Sequence, residues 1–335
     1  MTQIRKREIV LLIVVPLLLF AILAEVGLRF YLSRNTFYDV EMSRYARLLK
    51  IPAENELIGH VHRPNRHERL MNAEVRINSA GFRDDEYTLA RNERWRILLL
   101  GDSLTFGWGV EKEESFEHRL EQALDAERPT EIINLGAGNY NTVQEVNLFL
   151  DVGLAYEPDQ VVLYYFINDA EMLPQPSRWP WLGSVRLVTF YWSRVKALLA
   201  QYNDAAGYQA YYTALYHDDA EGWRKSRAAL RELARVCRER EIALQVVLLP
   251  ELHELVDYPF SEEYGMIMRF LGDNEISALD LTPAFAGETE PHRFWVALDD
   301  AHPNAEAHRR IAEASFDFVA GPGRAAAIEA GAEPD

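Results

Sequence analysis

The chain has 335 residues, 48% of them hydrophobic, and a formal net charge of −17. That is enough apolar residue for one large domain with appendages, and it excludes bulk disorder. So acidic an exterior argues against nucleic acid as a partner and against general attraction to anionic lipid. The single cysteine, Cys237, excludes an intramolecular disulfide and reads as an ordinary buried thiol.

Residues 1–32 read as a cytoplasmic stub followed by a signal-anchor helix. Arg5, Lys6 and Arg7 precede an uncharged apolar run from Ile9 to Ala24, which Val26 to Leu32 extends. Counted to Leu32, the run is long enough to span a membrane once. The competing reading is a signal peptide cut after Ala24, but Ile22-Leu-Ala24 matches a small-residue cleavage site poorly. The basic cluster ahead of the run places the N-terminus inside and the rest of the chain on the extracytoplasmic, periplasmic side of the cell membrane. Residues 33–94 form a mixed polar accessory region. Within it, Arg76 to Asp84, with Gly81-Phe82 at its centre, reads as part of a hairpin covering a sheet edge.

Residues 95–320 read as repeated strand and helix. The strands are Ile97–Leu100, Glu131–Asn134, Gln160–Tyr165, Ala243–Leu249 and a short Ser277–Asp280. The helices are Ser115–Glu127, Thr142–Leu154, Trp223–Arg240 and a closing Asn304–Phe318. Residues 170–222 interrupt the alternation with Trp179, Trp181, Tyr191, Trp192, Tyr208 and Tyr211 among prolines. This aromatic insertion reads as a lid over a site, a layer against a membrane surface, or an accessory helical layer. Residues 321–335 read as a flexible tail.

The chemistry is organised around Gly101-Asp102-Ser103, which ends the first apolar strand. Open α/β sheets place ligands at that end of their strands, so Ser103 is a candidate nucleophile. Gly-Asp-Ser alone also fits a turn with a capping serine. Three further stretches follow: Asn134-Leu-Gly136-Ala-Gly138, Phe166-Ile-Asn168-Asp169 and Asp299-Asp300-Ala-His302-Pro303-Asn304. In this order the four stretches resemble the SGNH (GDSL-type) hydrolase family. The resemblance implies a flavodoxin-like, three-layer α/β/α fold with a mainly parallel sheet. It implies Ser103 as nucleophile, His302 as base and Asp299 as the carboxylate that orients it. Asp300 also lies near His302 in sequence and is the alternative partner, and the family pattern favours Asp299. The oxyanion donors implied are the backbone N–H groups of Ser103 and Gly138 and the amide of Asn168, with Gly136 the alternative glycine. Phe166 stands where many members have glycine. Membrane-anchored members are also similar in carrying Asn-x-x-Gly-Phe-Arg ahead of the Gly-Asp-Ser strand, here Asn78 to Arg83.

No metal and no cofactor are expected. Glu251-Leu-His253-Glu254 lacks the spacing of a zinc motif, and His60, His62 and His67 read as surface residues. The functional expectation is a membrane-anchored serine esterase that hydrolyses or transfers O-acyl groups, foremost acetyl, on cell-surface polysaccharide. A lipase or thioesterase acting on lipidic acyl chains is one rival. A catalytically inactive domain that binds glycan is the other.

Overall fold

The computed structural model describes residues 6–32, 36–173, 190–191 and 205–329. Two compact units divide the chain, residues 1–47 with 175–204 and residues 48–174 with 205–335. In the first unit, helix α1 (Lys6–Leu32) carries Pro16 and is followed by α2 (Tyr38–Leu49). Leu12–Leu32 has a mean hydropathy of 2.3 and is nowhere buried. At 1.5 Å per residue its 21 residues reach about 31 Å, the thickness of a bilayer's hydrocarbon core. Length and composition therefore fit a membrane span or a signal sequence. Trp179, Trp181 and Trp192 of the aromatic insertion lie outside the described residues.

The second unit begins with two small antiparallel hairpins. One pairs β1 (Lys50–Pro52) with β2 (His60–His62), the other β3 (Arg66–Leu70) with β4 (Ala73–Ile77). Then comes a five-stranded parallel sheet of β5 (Trp95–Gly101), β6 (Thr130–Asn134), β7 (Gln160–Tyr165), β8 (Ala243–Leu248) and β9 (Ser277–Asp280). Its order is β6-β5-β7-β8-β9. The third hairpin, β10 (Trp295–Ala297) with β11 (Asp300–Pro303), stands apart from this sheet. Neither does β3–β4 pair with the sheet as a strand, although Asp84, which follows it, accepts the N–H of Asn134 on the edge strand β6 at 2.8 Å.

The strands are apolar on both faces because both are covered. Leu98, Leu100, Val161, Leu163, Val246 and Leu248 point to one side. There they meet α5 (Thr142–Asp151), α7 (Glu221–Glu239) and α8 (Ser261–Asp273) through Val146, Phe149, Leu230, Leu233, Ile267 and Leu271. Ile97, Leu99, Val162, Tyr164 and Val247 point to the other. They meet α4 (Phe116–Glu127) and α10 (Ala305–Glu329) through Phe116, Leu120, Leu124, Ile311 and Val319. The fold is thus the expected three-layer α/β/α arrangement. Chain order in the sheet reverses between β5 and β7, the switch point where such sheets bind ligands.

Several boundaries differ from expectation. Thr142–Leu154 stops as an α-helix at Asp151 and tightens to a 3₁₀ turn at Gly153–Tyr156. Helices absent from the sequence reading include α2, α6 (Ala205–Leu215), inside the supposed insertion, α8 and the short α9 (Thr282–Phe285). The tail is corrected as well, because α10 runs on to Glu329. Arg128 Nη1 donates to Gly323 O at 2.7 Å, and Arg324 pairs with Glu127 at 2.7 Å. These ties, with the helix propensity of the alanine run, offset Pro322 inside the helix.

The end of β5 depends on a missing side chain. A Cβ at Gly101 would overlap Thr105 Oγ1 and stand 2.8 Å from Thr105 Cβ. Gly101→Ala is therefore expected to destabilise the domain by about 1–3 kcal/mol, as overpacked cores do. Urea unfolding followed by circular dichroism gives the measurement.

Candidate active site

After Gly101 the chain turns sharply into α3, a single helical turn over Ser103–Phe106. Asp102 caps it, its Oδ1 accepting the Leu104 N–H at 2.8 Å. Ser103 opens the turn, so its own N–H is among the donors that a helix start leaves unused. Gly107 closes the turn in the left-handed region, at φ +77°. The loop that follows is held from below by Arg83. Its Nη1 donates to Phe106 O at 3.0 Å and to Gly107 O, and its Nη2 to Val110 O at 2.6 Å and Glu74 O at 2.9 Å. Asn78 folds the turn that delivers Arg83, accepting the N–H groups of Ala80 and Phe82 and donating to Asp85 O.

Ser103 Oγ lies 2.8 Å from His302 Nε2. On the far side of the ring, His302 Nδ1 lies 2.5 Å from Asp300 Oδ1. The carboxylate that His302 meets is thus Asp300, where Asp299 was expected. The reason is local structure. Asp299 sits with Leu298 in the two-residue turn between Ala297 and Asp300, exposed, whereas Asp300 and His302 lie two apart on β11. That spacing turns both side chains the same way, and the His302 N–H also donates to Asp300 Oδ1, at 3.1 Å. Asp300 Oδ2 accepts the Trp108 indole N–H at 2.8 Å. Burial opposes charge on Asp300, yet the imidazole and the indole outweigh it and hold the carboxyl below its ordinary range. Pro303 ends the strand. Asn304 is the cap, its Oδ1 accepting the Glu306 and Ala307 N–H groups at 3.1 Å.

Asn168 follows β7 in a 3₁₀ turn, Ile167–Ala170. Its Nδ2 donates to Asp102 Oδ2 at 3.0 Å, which fixes the direction of the second N–H on the same nitrogen. Behind it, Asp169 and Glu145 are fully buried. Burial pushes both carboxyls well up, helped at Glu145 by the Asp169 charge and at both by the Asp102 charge. Of the two candidate glycines, Gly136 has its N–H committed to Asn134 Oδ1 at 2.8 Å. Gly138 presents its carbonyl to the β1–β2 hairpin. Lys50 Nζ lies 2.8 Å from that oxygen and His60 Nε2 3.1 Å. His60 and His62 are therefore not surface residues. His62 is buried with its Nδ1 3.1 Å from Gly81 O, whereas His67 is exposed. Glu251 and His253 pair with each other beside Tyr208.

A family model described as "GDSL-like Lipase/Acylhydrolase family" matches residues 99–310, well over half of the chain. The chain belongs to that family. No curated protein sequence matches it significantly. Solved structures resemble it at low identity. An acetyl xylan esterase is 15% identical, with 67% of this chain and 99% of that one covered, at a TM-score of 0.45. A two-domain esterase active on acetylated mannans, co-crystallised with mannopentaose, is 17% identical, with 72% and 51% covered, at 0.45. A lipase/acylhydrolase from Enterococcus faecalis is 14% identical, with 68% and 95% covered, at 0.44.

The GDSL-like match contains Ser103, Gly138, Asn168, Asp300 and His302 and excludes Lys50, His60 and Arg83. Sequence reasoning passed over Trp108, Arg83, Asp102 as a bridge, and Lys50. Trp108, five residues after Ser103, offered no more signal than any apolar position. Arg83 was at least marked by its Asn-x-x-Gly-Phe-Arg stretch. The choice between neighbouring aspartates is directly measurable. In ¹H NMR the His302 Nδ1 proton is expected far downfield, retained in Asp299→Asn and lost in Asp300→Asn.

Proposed function

We propose that this protein is a serine esterase of the acyl-enzyme type, hydrolysing or transferring short O-acyl groups, foremost acetyl, on cell-surface polysaccharide. One observation carries the reading, the 2.8 Å approach of Ser103 Oγ to His302 Nε2 with Asp300 behind the ring. With Nδ1–H donated to Asp300, the neutral imidazole keeps Nε2 as an acceptor facing the serine. As Ser103 Oγ bonds the ester carbon, its proton passes to Nε2 and the carbonyl electrons move onto oxygen. The Ser103 N–H, the Gly138 N–H and the Asn168 amide are the donors assigned to that oxyanion. Collapse expels the alcohol, which takes the proton from Nε2 and leaves acyl-Ser103. Water or a sugar hydroxyl then gives its proton to Nε2 and attacks the acyl carbon, and the second collapse releases Ser103 Oγ, which takes that proton back from Nε2.

Two features support the setting. The apolar Leu12–Leu32 stretch fits a single membrane anchor, and Arg5 to Arg7 ahead of it favour an extracytoplasmic domain. The net charge of −17 disfavours anionic lipid headgroups as substrate. A site for short acyl groups gains nothing from longer chains, whereas an acyl tunnel gains roughly 0.8 kcal/mol per CH₂ buried.

Ser103→Ala is expected to lower kcat on p-nitrophenyl acetate by about 10³-fold or more, and wild-type turnover in that variant would refute the nucleophile. In the wild type, kcat/KM is expected to be highest for acetyl and propionyl esters. A steady climb toward dodecanoyl would instead favour action on lipidic chains. A protein tagged after Asp335 is expected to stay with membranes through an alkaline wash and to keep its N-terminus. A soluble form beginning at Glu25 would replace the anchor by a cleaved signal.

A further inference from the structure

Lys50 lies outside the family match, on a hairpin of three-residue strands, yet it ends on the peptide next to a proposed oxyanion donor. Its Nζ is 2.8 Å from Gly138 O and 2.9 Å from Asn139 Oδ1. His60, across the hairpin, reaches the same carbonyl at 3.1 Å. A carbonyl only accepts, so His60 Nε2 bears the proton there. The His60 backbone oxygen in turn accepts the Tyr140 hydroxyl, whose ring meets the imidazole edge-on at 4.9 Å. The preceding peptide is held independently, because Ala137 O accepts the Tyr140 N–H at 3.2 Å and Ala137 N donates to Gly101 O at 3.1 Å. In a trans peptide the Gly138 N–H points away from Ala137 O. Its direction is therefore fixed on one side by the loop itself and on the other by Lys50 and His60.

We propose that Lys50 is a positioning residue of the oxyanion site: with His60 it locks the Gly138 peptide, and its ammonium sets a positive charge one residue from the donor. The inference rests on Gly138 serving as that donor in the acyl-enzyme reading. A glycine has no side chain to restrict its ψ, so an external clamp has more to do here than at any other residue. A fixed positive charge beside a developing oxyanion also acts in the transition state more than in the ground state.

The clamp makes activity depend on pH. Burial lowers the Lys50 ammonium to about 7, so its charge is present below that pH and lost above it. The imidazoles packed against it do not titrate in this range. Burial, helped by Lys50 itself, holds His60 at about 3, and burial holds His62 at about 4. The rate is therefore expected to decline on the alkaline side as Lys50 loses its proton.

The test compares kcat against pH for wild type, Lys50→Met and Lys50→Arg on p-nitrophenyl acetate, with active protein counted by fluorophosphonate titration of Ser103. Lys50→Met is expected to lose about tenfold or more in kcat at pH 6, with KM nearly unchanged and the alkaline decline abolished. Lys50→Arg, which keeps its charge, is expected to retain more activity than Lys50→Met and to hold it beyond pH 9. Wild-type kcat with an unaltered alkaline limb in Lys50→Met overturns the proposal. So does a lower active fraction with the profile unchanged, which is what a purely structural lysine would give. Should Lys50→Met not fold, the Lys50→Arg profile decides alone: a limb that stays at the wild-type pH overturns the proposal. The underlying reading fails differently, through activity that survives Ser103→Ala.

Discussion

A buried carboxylate joins two halves of the site. Asp102 caps the turn bearing Ser103 through one oxygen and takes the Asn168 amide on the other. The ends of β5 and β7, neighbours in the sheet, are thereby tied at the side-chain level just beyond their last paired residues. Burial raises the Asp102 carboxyl above its ordinary range, and the Leu104 and Asn168 hydrogen bonds work against that shift. A buried carboxylate is tolerated only when so partnered. The partnership also has a directional use, since an amide with one N–H committed presents the other along a fixed line. Preorganisation of that kind is what an oxyanion site requires.

Much of this was legible in sequence because it was written in short local patterns. The parallel strands announced themselves as apolar runs, and both faces of the sheet are indeed covered. Ser103 and His302 were found through motifs, and they meet although 199 residues separate them. The aspartate was misjudged because spacing alone does not reveal a hairpin. On a loop either neighbour reaches His302, whereas on β11 only Asp300 shares its side. His60 and His62 were misjudged for a related reason. They lie in a polar stretch, and polarity of neighbours says little where burial comes from elements remote in sequence.

Arginine does the long-range tying in a chain whose surface is acidic. Arg96, at the start of β5, is fully buried. It pairs with Glu131 at 2.6 Å and donates to the carbonyls of Thr88, Ala90 and Tyr156. Arg83 serves the other end of the same strand, spreading its guanidinium over the carbonyls that follow Ser103. A planar, permanently charged fork suits this use, since it satisfies several carbonyls at once and cannot lose its proton. Residues ahead of the family match thus brace the nucleophile turn through Arg83 and the Gly138 peptide through Lys50.

The hairpin that carries Asp300 and His302 has an uneven tolerance for change in length. Its tip, Leu298-Asp299, is exposed and lies beyond the Ala297–Asp300 pair, so insertions there leave the spacing of Asp300 and His302 intact. Between the two residues there is only Ala301, and the strand register already shifts by one residue beside it. One residue more or fewer at that point would turn the imidazole away from either the carboxylate or the serine. Drift and design alike are therefore free to lengthen this ribbon at its tip, while Asp300-Ala301-His302 is inherited or grafted as a single three-residue unit.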